Sequence, residues 1–125
     1  MTVYALSTPP GRGAIAIIRI TGSHTATTLE KLTGRPVPQP RQAALRVLSD
    51  PGTGDPIDSG LVLFFQAPHS YTSEDMAELH IHGGIAIVDR LLGVLSQLEG
   101  LRPAEPGEFT RLAVLNGRMD LTQAE

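Results

Sequence analysis

The spacing of apolar residues changes several times along this chain, and each change predicts an element. Residues 2–6 read as a short strand. Thr8-Pro-Pro-Gly-Arg-Gly13 reads as a turn, because two prolines and two glycines do not fit a regular element. Residues 14–20 are dense in isoleucine and predict a buried strand. Ser23 is placed to cap a helix reaching about Leu32, with Ala26, Leu29 and Leu32 as its apolar stripe and Gly34 to close it. Residues 35–40 hold two prolines and form a loop. Residues 43–48 and 57–66 predict two strands, joined as a hairpin by the Gly- and Pro-rich segment 50–56. Leu61-Val-Leu-Phe-Phe65 is apolar on both faces, which predicts a central strand.

After a polar loop at 67–73, residues 75–82 alternate as a strand, and Gly83-Gly84 follows. The clearest helix is 85–98, where Ile85, Val88, Leu91, Leu92, Leu95 and Leu98 keep a helical period. Gly100 ends it, and 101–104 predicts a short strand. Residues 106–116 predict a short helix, with Pro106 and Glu108 suited to the first turn and Asn116-Gly117 to the end. Strands that alternate with helices imply an α/β (α+β) domain, a mixed sheet with about three helices packed on it.

Composition narrows the function. At 125 residues the chain is one domain's worth and large enough to bury a core without staples. It has no cysteine, which excludes disulfides, thiolate nucleophiles and Cys-based zinc sites in this segment. Its net charge of −3 supplies no global basic field for nucleic acid. Three Phe, two Tyr and no Trp argue against a base-stacking platform. No signal peptide and no apolar run of membrane-spanning length are present, so a cytoplasmic domain without a membrane partner is expected.

Several motifs remain as candidate chemistry. Gly11-x-Gly13-x-x-Ala16 imitates a dinucleotide fingerprint, but it opens a strand instead of ending one, so the turn reading wins. No Gly-x-x-x-x-Gly-Lys-Ser/Thr occurs, so this segment has no phosphate-binding loop of its own. Arg19 is the single charge in an apolar run; it either snorkels to water or anchors an anion or an acidic side chain. Glu78, His80 and His82 project from one face of a strand. Two His and a carboxylate are typical zinc or iron ligands, yet same-face neighbours on a strand stand about 7 Å apart, wide for groups that must each lie about 2 Å from one metal. Glu78 alone also suits an amidine-like edge, such as a pterin or guanine ring, which offers a carboxylate two parallel N–H donors. His82-Gly83-Gly84 could present free N–H groups to an anion, although a tight turn explains it. Glu105, Glu108, Arg111, Arg118 and Asp120 crowd the tail and read mostly as solvated charges or local ion pairs. Thr122-x-x-Glu125 has the form of a capping box whose helix would lie beyond the last residue. A helix is therefore expected to begin where this sequence stops.

Three stretches together resemble one family. They are Thr8-Pro-Pro-Gly-Arg-Gly-Ala-Ile-Ala-Ile-Ile-Arg-Ile20, Ala67-Pro-His-Ser-Tyr-Thr-Ser-Glu-Asp-Met-Ala-Glu-Leu-His-Ile-His-Gly-Gly84, and Pro106-Gly-Glu-Phe-Thr-Arg-Leu-Ala-Val-Leu-Asn-Gly-Arg-Met-Asp-Leu-Thr-Gln-Ala-Glu125. In this order they resemble the N-terminal domain of the MnmE (TrmE) family of tRNA-modification GTPases, over nearly the whole chain. The resemblance implies an α/β fold similar to the folate-binding domain of the glycine-cleavage T protein, formed by residues 1–118, with 119–125 as the start of a further, helical domain. It implies homodimerisation and binding of a tetrahydrofolate derivative, 5-formyltetrahydrofolate or 5,10-methylenetetrahydrofolate, as one-carbon donor for a wobble uridine. It carries the folate contacts onto Arg19, Glu78 and Arg118, where the family commonly has Lys at the last position. Arg keeps the charge but replaces a compact point charge with a planar fork. The resemblance further implies that GTP, Mg and K belong to a G domain absent here, and that an MnmG-like flavoprotein and tRNA are partners of the full-length protein. This segment alone is then expected to have no catalytic residue and no metal.

Two other readings stay open on the residues alone. One is a small metal-dependent enzyme using Glu78, His80 and His82. The other is a pure dimerisation domain without folate binding.

Overall fold

The computed structural model of the protein describes residues 1–7 and 14–117. Six strands and three helices follow one another as β1 (Thr2–Leu6), β2 (Ile15–Thr21), α1 (Thr25–Thr33), β3 (Ala44–Ser49), β4 (Pro56–Phe65), β5 (Met76–His82), α2 (Ile85–Gln97), β6 (Leu101–Pro103) and α3 (Glu108–Leu115). The strands form one mixed sheet in the order β3-β4-β5-β2-β1-β6. Only β1 and β6 run parallel; the other neighbours are antiparallel. This is the α/β architecture expected from the alternation of elements.

The period of two along each strand separates the sheet into two unlike faces. One carries Ala16, Ile18 and Ile20 of β2, Ala77, Leu79 and Ile81 of β5, and Val62 and Phe64 of β4, all buried. Leu29 and Leu32 of α1 and Val88, Leu91, Val94 and Leu95 of α2 close over these side chains in one core cluster. The helices lie along different strands: α1 packs on β3 and β5, and α2 on β4, β5 and β6. The opposite face, carrying Ile15, Ile17, Arg19, Leu61, Leu63, Glu78 and His80, is not the one on which α1 and α2 pack, and Ile15 is 59% exposed.

Four expectations need correction. The isoleucine-rich strand is not buried on both sides, because α1 and α2 cover only one. β4 is flanked on both edges as predicted, but its second apolar row faces outward, with Leu61 exposed. Ser23 does not cap α1. The helix starts at Thr25, and its anchors are Thr2 Oγ1, which accepts the His24 N–H at 2.7 Å, and Thr25 Oγ1, which donates to the Gly22 carbonyl at 2.8 Å. Its predicted end holds: Gly34, at φ 67°, supplies the left-handed cap. In α2 the buried stripe is narrower than its apolar set; Ile85 is exposed and Val94 is buried in its stead. The capping box at Thr122 and Glu125, and the boundary near residue 118, lie outside the described residues.

Candidate functional site

Arg19 of β2 and Glu78 of β5 are directly opposed in the sheet register, on the open face. Arg19 Nε donates to Glu78 Oε2 at 2.9 Å. Of the two alternatives that the sequence left for Arg19, pairing with an acidic side chain is the one observed; its side chain is still 40% exposed. Glu78 is the more enclosed partner at 17%. Burial pushes its carboxyl pKa up, but hydrogen bonds from His80 and Arg19 and the Arg19 charge outweigh that and hold it below the usual value. Glu78 is therefore an ionised, acceptor-only group at neutral pH.

The pair sits between two hollows. On one side Arg19 and Glu78 border a cavity of about 460 Å³ walled by Phe65, Tyr71 and Met76. On the other, Arg19 borders a cavity of about 510 Å³ between residues 5–7 and the 104–110 segment. A charged pair at the floor of partly apolar concave space is the usual composition of a small-molecule site. The walls are tied together: Tyr71 Oη and Thr110 Oγ1 lie 3.2 Å apart, and Asn116 Nδ2 donates to the Thr72 carbonyl at 2.8 Å. The loop from β4 to β5, with its cis Ala67–Pro68 bond, is thus fastened to α3.

The second wall depends on one buried carboxylate. Glu108, at the start of α3, accepts both Arg102 terminal nitrogens, at 2.8 and 2.6 Å, and the Glu105 N–H at 2.9 Å. Hydrogen bonds from Arg102 lead in lowering its pKa to about 2, against burial and with help from the Glu105 amide and the charges of Arg102 and Arg111. The pair clips α3 to β6.

His80 and His82 share a face with Glu78, as the alternation predicted, but they do not converge on a common point. His80 Nε2 lies 2.9 Å from Glu78 Oε1. His82 turns to β4, where its Nδ1 lies 2.9 Å from Asp58 Oδ1 and its backbone N–H donates to Oδ2 at 2.9 Å. Burial raises the Asp58 pKa and the His82 contacts overcome it, so Asp58 ends below its usual value. Among the described residues no group of three His, Asp or Glu is placed to hold a metal. The Glu78/His80/His82 metal reading is therefore set aside on geometry: the two imidazoles serve different carboxylates. Gly83 donates to the Ala14 carbonyl at 3.0 Å, continuing the β2–β5 ladder, so this N–H is already engaged and does not face an anion.

Arg118, the third expected contact, lies outside the described residues, as does the 8–13 turn. Sequence reasoning missed Phe65, Tyr71 and Met76 as cavity walls, the Asp58–His82 pair and the Arg102–Glu108 clip. The sequence marks Glu108 as a first-turn charge that is solvated or locally paired; its place three residues after Glu105 gives no sign that Arg102 is the partner. No helix among the described residues is long and apolar enough to cross a membrane.

Comparison with known proteins points one way. The family model described as GTP-binding protein TrmE N-terminus matches residues 2–118. The chain is 55% identical over 124 residues to the tRNA modification GTPase MnmE of Paramagnetospirillum magneticum, covering 99% of this chain and 28% of that protein. It is 52% identical over 124 residues to the protein of the same name from Parvibaculum lavamentivorans, and 47% identical over 125 residues to that of Pelagibacter ubique, again covering 28% of each. The chain thus spans little more than a quarter of the length of these relatives.

Proposed function

The chain belongs to the family of N-terminal domains of the GTP-binding protein TrmE, and from that premise we propose that it is the reduced-folate-binding and homodimerising module of a cytoplasmic tRNA-modification GTPase. The observation that carries the folate reading is the Arg19–Glu78 pair on the floor of a cavity walled by Phe65, Tyr71 and Met76. A pterin ring presents a ring N–H and an exocyclic amine side by side, which suits the two oxygens of an ionised carboxylate. Each Glu78 oxygen has one protein donor and keeps acceptor capacity for a second. The apolar walls suit the flat ring, and the exposed remainder of the Arg19 guanidinium suits the anionic tail or a ring carbonyl. The ligand would be 5-formyl- or 5,10-methylenetetrahydrofolate, held as a one-carbon source for wobble-uridine modification. Arg118 is the expected second cation.

Dimerisation is supported by the outer sheet face, where Ile15, Leu45, Val47 and Leu61 are all more than 40% exposed. Leu45 and Val47 of β3 lie beside Leu61 of β4, and such an exposed apolar strip suits a second copy of the chain. GTP hydrolysis with its Mg and K, tRNA, and an MnmG-like flavoprotein belong, in this proposal, to the rest of the full-length protein.

Calorimetric titration of the 125-residue chain with 5-formyltetrahydrofolate tests the reading. Saturable binding is expected, reduced at least about tenfold in Glu78→Ala, the scale of a hydrogen bond to a charged group. A folded wild-type chain that takes up no folate overturns it.

A further inference from the structure

We infer that His80 is a positioning residue for ligand capture at Glu78: its imidazole fixes the orientation in which the carboxylate meets a ring edge. This deepens the folate reading and rests on it. The surroundings of Glu78 are settled by the sheet register. Arg19 stands opposite on β2, Leu63 opposite on β4, and Met76 and His80 are its same-face neighbours along β5. Two of these four neighbours are apolar, and among the described residues the carboxylate is held by Arg19 and His80. Arg19 holds one oxygen, through Nε to Oε2, and His80 the other, from Nε2 to Oε1, each at 2.9 Å. An ionised carboxylate only accepts, so His80 Nε2 carries the proton of that bond.

The terminal torsion of a glutamate is broad, so one donor leaves the group free to turn. The guanidinium also offers a forked, two-point alternative. Without His80, Glu78 can rotate until both oxygens face Arg19, which uses the acceptor sites that a ligand needs. His80 prevents this by engaging Oε1 from along the strand. Its side chain is 26% exposed against 40% for Arg19, so its bond is the less screened of the two.

The test compares His80→Gln with His80→Leu in the 125-residue chain. A Gln amide nitrogen reaches as far from Cβ as Nε2 and donates to a carboxylate; Leu fills the space without a donor. Should His80→Leu fail to fold, His80→Asn, whose amide falls one bond short, takes its place. Two readouts are made: calorimetric affinity for 5-formyltetrahydrofolate, and the pH titration of the Glu78 carboxyl carbon by NMR without ligand. The Leu variant is expected to bind about tenfold more weakly, the scale of one hydrogen bond to a charged group, and to titrate Glu78 at higher pH; the Gln variant should restore both. Equal affinity in wild type and His80→Leu overturns the inference and leaves the folate reading standing. Equal losses in Leu and Gln also overturn it, because a shape or folding role predicts no rescue. A wild-type chain that binds no folate overturns the folate reading itself, and the carboxyl titration then decides whether His80 holds Glu78.

Discussion

The two faces of the sheet are built by the same strands from alternate residues, yet they have opposite fates. On the inner face Ile18, Leu79 and Val62 are wholly buried beneath α1 and α2. One residue away along each strand, Arg19, Glu78 and Leu61 look outward, and Leu61 is exposed. Apolar character does not separate them, since Ile15 and Leu45 are as greasy as anything inside. What separates them is cover. The inner face gains its stability from removal of apolar surface from water, whereas the outer face retains apolar side chains around a row of charged groups. One face therefore makes the fold, and the other keeps charged and apolar side chains partly accessible to solvent.

The largest test of that contrast is a pair of truncations. Leu79→Ala should cost about 3 kcal/mol of stability in denaturant unfolding, the loss of a buried leucine plus its cavity. Leu61→Ser, on the other face of the adjacent strand, should change stability by about 0.5 kcal/mol or less, and should instead weaken self-association in sedimentation. Equal costs would erase the distinction between the faces.

Gly60→Ala probes the seam between β4 and β5. A Cβ there would stand 2.3 Å from the His80 carbonyl oxygen, a backbone atom with little room to yield. Destabilisation of about 1–3 kcal/mol is expected from such overpacking. Thermal melts that match wild type would show that the strands can part at no cost.

Glu78→Ala should show the converse pattern, a tenfold or greater loss of folate affinity with a stability change within about 1 kcal/mol. The Arg19 it leaves behind is exposed enough to be hydrated. A large stability loss would move Glu78 from the recognition face to the fold.

The smallest effect concerns the clip behind the second cavity and depends on pH. The Glu108 pKa is lowered on folding to about 2, so its contribution to stability is complete above the ordinary carboxyl value near 4.5 and is lost as pH falls from there toward 2. Glu108→Gln should therefore be less stable than wild type at neutral pH, with the gap closing as pH drops through that window. A gap that does not change with pH would show that the Arg102 ion pair is not its source.

The order of elements was legible in the chain because strand and helix periods differ and glycine and proline mark the joints. Gly34 closes α1 and the 50–56 segment turns the β3–β4 hairpin, as their glycines and prolines predict. Helix starts were less legible. Ser23 has the chemistry of a cap, but α1 is anchored by Thr2 on a neighbouring strand, a contact between residues 22 positions apart. The candidate site was legible in part. That Glu78, His80 and His82 share a face follows from alternation, but their partners do not. Arg19 meets Glu78 across 59 residues and Asp58 meets His82 across 24, through strand register that no local pattern displays.

By itself, then, the sequence determined which residues form strands and helices, which of them share a face, and, through three long motifs, the family. Those properties depend on backbone geometry and near neighbours, which a linear chain carries in full. Only the tertiary structure decided which sheet face the helices cover, that Arg19 stands against Glu78, and that the two histidines serve different carboxylates. These follow from long-range pairing, in which the positions of α1 and α2 on the sheet select one of two apolar faces for burial and leave the other open.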